Sequence, residues 1–298
     1  MFRGRKRWSL AVRRPDGSIH VEVHPLDSLL DKRPWRMPLL RGLAALWENL
    51  KLGWKALTLS ADLALEGEGE MGGIGRAITV VLAVALVVGL FVFLPTWIAS
   101  HLVSRETSTF LFNLVEGAVR LAVFVAYLVA ISLSGEMRRI LRYHGAEHQS
   151  IHLLEKGLPL EAEHALKQGT DHLRCGTSFL LLLVFLTVVV YSLLGRPALW
   201  LRVLERVALI PLLAGMSYEI IKAADRRRES PFWRALAAPG LALQRLTTRR
   251  PGREEVEVAL AALKSLLGSE GEGREGSEDG GRMTGELLTG GTEDGLRG

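Results

Sequence analysis

The stretch His144-Gly145-Ala146-Glu147-His148 sets two imidazoles four residues apart, a spacing that places them on one face of a helix, one turn from each other. Two imidazoles so placed can share a metal ion, and the adjacent carboxylate suits a zinc site. Written H-x-x-E-H, the pattern also matches the inverted zinc-protease motif. Glu147 is therefore expected to serve as general base toward water that the ion activates. Further on, His172-Leu173-Arg174-Cys175-Gly176 holds an imidazole and a thiol three residues apart, a common zinc-ligand pairing. The expected ligands are His144, His148, His172 and Cys175, and the expected cofactor is a divalent ion, zinc by this donor chemistry. Arg174 is expected to stabilise negative charge developing on a substrate.

Glu219, in Ser217-Tyr218-Glu219, is an ionisable residue at the end of an apolar span and so a further candidate. His152 adds another turn to the histidine row and reads as a bystander. Each residue also has a plain reading. The histidines suit a solvated helix, Cys175 suits a buried small hydrophobe, and Glu219 suits an ion pair with Arg142 or Lys222. Convergence of the set on one face is what favours a metal site.

The elements that must position these groups follow from hydropathy. The chain has 298 residues, 48% hydrophobic and 23% charged, so its apolar residues are concentrated rather than spread. Four apolar stretches stand out: 77–98, 110–133, 177–194 and about 207–224. A crossing takes roughly 20 helical residues, so four transmembrane helices are expected, with three plus a surface helix as the fallback. The second stretch carries Glu116 and Arg120, which at i,i+4 can pair inside the bundle. The fourth is the weakest, with Pro211 inside it and Glu205 and Arg206 at its entry.

Basic residues set the orientation. They crowd the first fourteen positions, recur at Arg226, Arg227 and Arg228, and fill the 135–176 segment with Arg138, Arg139, Arg142, Lys156, Lys167 and Arg174. Beside apolar spans such clusters mark the cytoplasmic side rather than a nucleic-acid partner, so both termini are placed there. The opposite loops still hold Arg105, Arg196 and Arg202. The single cysteine allows no intrachain disulfide and fits a reducing compartment, and no cleavable signal peptide is visible.

Trp8–Val23 reads as a β-hairpin around Arg14-Pro15-Asp16-Gly17. From Pro38 to about Leu65 the stripe Leu39, Leu43, Leu46, Trp47, Leu50 and Trp54 predicts an amphipathic helix, at the membrane surface, against other helices or in a soluble core. Glu66–Gly75 is a Gly/Glu linker with no preceding strand, which argues against a nucleotide-binding loop. The organisation is therefore mainly α and polytopic: a hairpin region 1–37, helix and linker 38–75, spans 76–134, a cytoplasmic helical insertion 135–176, spans 177–224, cytoplasmic helices 225–267 and a disordered tail 268–298.

Tyr143-His-Gly-Ala-Glu-His148, His172-Leu-Arg-Cys-Gly-Thr-Ser178, Gly215-Met-Ser-Tyr-Glu-Ile220 and Ala238-Pro-Gly-Leu241 through Gln244-Arg-Leu-Thr-Thr248 resemble the bacterial domain-of-unknown-function 1385 family, also called YqhQ-like. The resemblance runs from the N-terminus to about Leu267. It implies a multi-pass membrane protein with a suspected metal site and supplies no established reaction. The matching positions are His144, Glu147, His148, Glu155, His172, Arg174, Cys175, Tyr218 and Glu219. Family members usually begin with Gly-Gly-Gln-Ala-Val-Ile-Glu-Gly-Val before a Met-x-Arg-Gly segment. Here Met1-Phe2-Arg3-Gly4 resembles only the end of that motif, so the true start is expected upstream.

The leading expectation is a membrane-embedded zinc hydrolase whose partners are the lipid bilayer and a lipid-linked or membrane-peptide substrate. One rival is a non-enzymatic membrane protein with a structural metal; four closed ligands would favour it, three with an open position would favour catalysis. The other is a transporter with Glu116, Arg120 and Glu219 lining a path.

Overall fold

The computed structural model describes residues 1–64, 73–104, 107–172, 175–227 and 230–272, and these are mainly helical. The hairpin forms from β2 (Arg7–Arg13) and β3 (Ile19–Pro25), paired antiparallel from Arg7 opposite Pro25 to Arg13 opposite Ile19. Its turn uses the expected chemistry. The Asp16 carboxylate accepts from the Ser18 amide at 2.8 Å and from its hydroxyl at 2.7 Å, while Gly17 takes φ +85°. A two-residue strand, β1 (Phe2–Arg3), adds a third member that is too short to leave a sequence pattern. Trp8, Leu10 and Val12 pack on Leu52 and Ala56 of the helix α1 (Leu40–Ala64), and Ser9, on the opposite face of β2, donates to the Ala262 carbonyl at 2.8 Å. Both faces of β2 are covered, which explains why its alternation is only partial.

Helix α1 sits where the pattern predicts it, and of the alternatives for its stripe the large residues take an outward facing. Ala44, Ala45, Leu52 and Ala56 are buried, whereas Trp47, Leu50 and Trp54 are exposed. The cause is close backbone approach. A Cβ on Gly42 would meet Gly215 Cα at 2.9 Å, so α1 presents its small residues inward and its large ones outward.

Three helical stretches are long and apolar enough to cross a bilayer: Ala77–Leu102, Thr109–Leu133 and Leu199–Arg226. The first is α2 (Gly73–Val88) continued through one π-turn (Gly89–Phe93) into α3 (Leu94–Leu102); the turn immediately precedes Pro95, where a regular ladder would lack a donor. The second is α4 (Thr109–Leu133), capped by the Ser108 hydroxyl. The third, α8 (Leu199–Arg226), has 28 residues, so the weakest expected span is long enough to cross. Conversely, the almost uncharged third stretch forms α7 (Gly176–Ser192), which has only 17 residues and ends before Gly195-Arg196-Pro197.

Glu116 and Arg120 do pair, at 2.6 Å and fully buried. Arg206 joins the same carboxylate from α8, Thr96 donates to it at 2.9 Å, and Arg206 also reaches Asn113 at 3.1 Å. These charges are engaged with one another across α3, α4 and α8.

The polar helix α5 (Gly135–Glu155) follows α4 after a break at Ser134, with α6 (Ala162–Ala165) beyond it. After α8 come α9 (Pro231–Thr247) and α10 (Arg253–Glu272). Helix continues through 268–272, where a tail was expected, because Leu266 still packs in the core and holds the last turns. That core unites Phe2, Ala146, Leu153, Val256, Leu260 and Leu263, so the N-terminal strands, α5 and α10 form one body. Most of the linker and the tail beyond 272 lie outside the described residues.

Candidate metal centre

Helix α5 stacks His144 above His148, with ring centroids 4.5 Å apart. The chain re-enters helix at Cys175, the N-cap of α7, whose thiol lies 3.3 Å from His144 Nε2. One ligand atom from each of His144, His148 and Cys175 lies within 4.8 Å of the others. The imidazoles are held in one tautomer by the fold. His144 Nδ1 donates to the Thr247 carbonyl at 2.8 Å, and His148 Nδ1 donates to the Thr170 carbonyl. Both Nε2 atoms are thereby left for a ligand, the arrangement that metal-binding histidines ordinarily show.

The electrostatics supply the thiolate, while a ligating His144 gives up its Nε2 proton to the solvent. Burial raises the Cys175 thiol, but hydrogen bonds from His144 and His148 and their charge outweigh it, bringing it to about 5. Burial disfavours charge on His144, yet the Cys175 thiolate and the Thr247 carbonyl raise it to about 9. The Thr177 amide donates to Sγ at 3.4 Å, so the positive end of α7 also faces the thiolate. A thiolate and two imidazoles fit zinc by donor chemistry, and three ligands leave a fourth position.

The other expected ligand, His172, lies one ring further along, 5.8 Å from His148 between centroids. It groups instead with His152 and Glu155, whose ligand atoms also lie within 4.8 Å of one another. His172 Nε2 and Glu155 Oε1 are 3.2 Å apart, and His152 Nε2 donates to the Asp171 carbonyl at 2.7 Å. His152, read from sequence as a bystander, is thus part of a second cluster. This cluster lines a cavity of about 680 Å³ with Asp171, Arg234, Ala238 and Leu241. An adjoining cavity of about 430 Å³ shares Asp171, Ala238 and Leu241 and adds Arg245 and Arg250.

Gln244 is the positioning residue that sequence reasoning missed. Fully buried on α9, it accepts from the His172 amide at 2.8 Å and donates to the His172 carbonyl at 2.7 Å. The motif Gln244-Arg-Leu-Thr-Thr248 had marked the place without its role.

Three expected residues stand apart from the ligand set. Glu147, one position round the helix from His148, turns its carboxylate to the amino group of Met1. Glu219 pairs with Arg41 of α1, with Nε to Oε1 at 2.5 Å, rather than with Arg142 or Lys222. Tyr218 packs beside Leu30, Ala44 and Ala45 at the same α1–α8 contact. Arg174 lies outside the described residues.

A mainly helical chain with three bilayer-length apolar helices and a buried His-His-Cys cluster at a polar insertion is the class these features define. Residues 37–269 match the family described as "Protein of unknown function (DUF1385)", and the chain belongs to that family. It is 34% identical over 293 residues to the "Uncharacterized protein YqhQ" of Bacillus subtilis (strain 168), covering 90% of this chain and 89% of that protein. No solved structure matches the chain.

Proposed function

We propose that the protein is a zinc-dependent hydrolase of the cytoplasmic membrane surface, with His144, His148 and Cys175 holding the ion. The observation that carries this reading is the ligand geometry: two Nε2 atoms preset by backbone acceptors converge on one thiolate. Among the described residues three donors gather there, which favours an open, catalytic position over a closed structural one. A bound zinc ion supplies Lewis acidity and lowers the pKa of water toward neutrality. Arg234, Arg245 and Arg250, with the apolar strip Ala238 and Leu241, suit a substrate that joins an anionic group to a hydrocarbon part. A lipid-linked substrate has that character.

The membrane arrangement we infer has four crossings, with α7 as the short one. Its support is parity. The N-terminal strands, α5 and α10 share one core, so an even number of crossings must separate each from the next. If α8 crosses, α7 must cross too. At about 1.5 Å per residue its 17 residues span somewhat less than the usual hydrocarbon thickness, a mismatch that local thinning accommodates. The basic α5 segment puts this shared core on the cytoplasmic side.

A second reading takes the Cys175–His144 pair, 3.3 Å apart, as a thiolate nucleophile and its base. It accounts less well for His148, which also hydrogen-bonds the same sulfur. Metal analysis of detergent-purified protein separates the readings. Wild type should carry zinc, with His148→Ala and Cys175→Ala depleted; equal, negligible metal in all three contradicts the zinc reading.

A further inference from the structure

His144, His148, His152 and Glu155 fall at i, i+4, i+8 and i+11 on α5, so they form one row along about three turns. Facing the row are His172 and Cys175, which serve its opposite ends. Cys175 meets His144 and His148, and His172 meets His152 and Glu155. Each half has the same plan: two donors from α5 and a third from the segment that leads into α7. The halves adjoin, with His172 5.8 Å from the ring of His148 and 5.3 Å from that of His152. They differ in access. His148 and Cys175 are buried, whereas His152, Glu155 and His172 line the 680 Å³ cavity.

We propose that His152, Glu155 and His172 are a second metal site, taking a divalent ion of nitrogen and oxygen preference and facing the ligand of that cavity. Two imidazoles with one carboxylate is an established ligand set for catalytic zinc and for ferrous iron. Without sulfur, it is the harder of the two sites, so the two positions can hold different ions. The plainer account is a hydrogen-bonded His172–Glu155 pair that ties α5 to the following segment. A pair needs no third member, however. His152 brings one to ligand distance. Gln244 fixes the His172 main chain from both sides, which holds the third donor in place.

This second site rests on the zinc reading of the first, and cobalt(II) titration of the metal-stripped, detergent-purified full chain tests the two separately. A thiolate ligand gives cobalt a sulfur charge-transfer band, which marks only the site that contains Cys175. Wild type should bind two ions, one of them with the band. His152→Ala and Glu155→Gln, each checked for a wild-type melting profile, should bind one ion and keep the band. Cys175→Ser should lose the band and keep one ion. A wild type that binds a single ion with the band, unchanged in His152→Ala and Glu155→Gln, overturns the second site and leaves the first standing. Two ions retained in both variants also overturn it. No ion in wild type overturns both.

Discussion

The charge relation between Cys175 and His144 has a consequence for pH. The thiol is brought from 9.0 to about 5, so its contribution to stability is present above 9.0 and is lost as pH falls through about 5. The imidazole is raised from 6.5 to about 9, so its contribution is present below 6.5 and is lost as pH rises through about 9. Metal-stripped protein should therefore melt progressively lower as pH falls from about 6.5 to about 5, and Cys175→Ser should lack that slope. Equal slopes in both would contradict the ion pair. Gln244→Leu keeps the volume but leaves the His172 amide and carbonyl unsatisfied, at a cost of about 1–3 kcal/mol. Its melting temperature should drop and its zinc affinity weaken by about 10–100-fold, as for other residues that orient ligands. Unchanged affinity would mean that the His172 segment does not support the site. The pairing of the two histidines was legible because i,i+4 spacing is local, whereas the approach of Cys175 joins positions 31 residues apart. The direction of Glu147 was not, since one helix position changes which face a carboxylate serves, and the partner of Glu219 lies 178 residues away on α1.

At the scale of elements, α5 must lie close to the chain joining α9 and α10 for His144 to reach the Thr247 carbonyl. Gly145 permits that approach: a Cβ there would meet the Arg249 carbonyl oxygen at 2.1 Å. Gly145→Ala should therefore destabilise by about 1–3 kcal/mol and lower metal content, through displaced backbone rather than a lost ligand. Gly53→Ala is the control, because nothing lies within 4 Å and helix propensity favours alanine, so it should be neutral or slightly stabilising. Equal melting temperatures for the two variants would show that the contact is not tight. Helix α1 shows why its position was readable while its facing stayed open among alternatives. Periodicity reports an apolar stripe, but small residues fit the close crossing with α8, and the large Trp47 and Leu50 are left outward. The third apolar stretch, 177–194, was read to within two residues of α7 at either end, because its lack of charge is local.

For the whole molecule, the shared core of N-terminal strands, α5 and α10 ties the topology to the site. In a Cys175→Ser background, single cysteines at Arg196 and Lys156 should label from opposite sides of sealed vesicles. Labelling from the same side would remove the α7 crossing. The broad outline of apolar stretches, polar insertion and hairpin was available from the sequence because each is encoded within a short window. The shared core was not, since it joins Phe2 to Leu263 across the entire chain.

X-ray absorption of protein loaded with one equivalent of zinc tests the central claim most directly. The ligand set predicts one sulfur at about 2.3 Å and a nitrogen shell at about 2.0–2.1 Å that includes two imidazoles. A first shell of nitrogen and oxygen with no sulfur would contradict it.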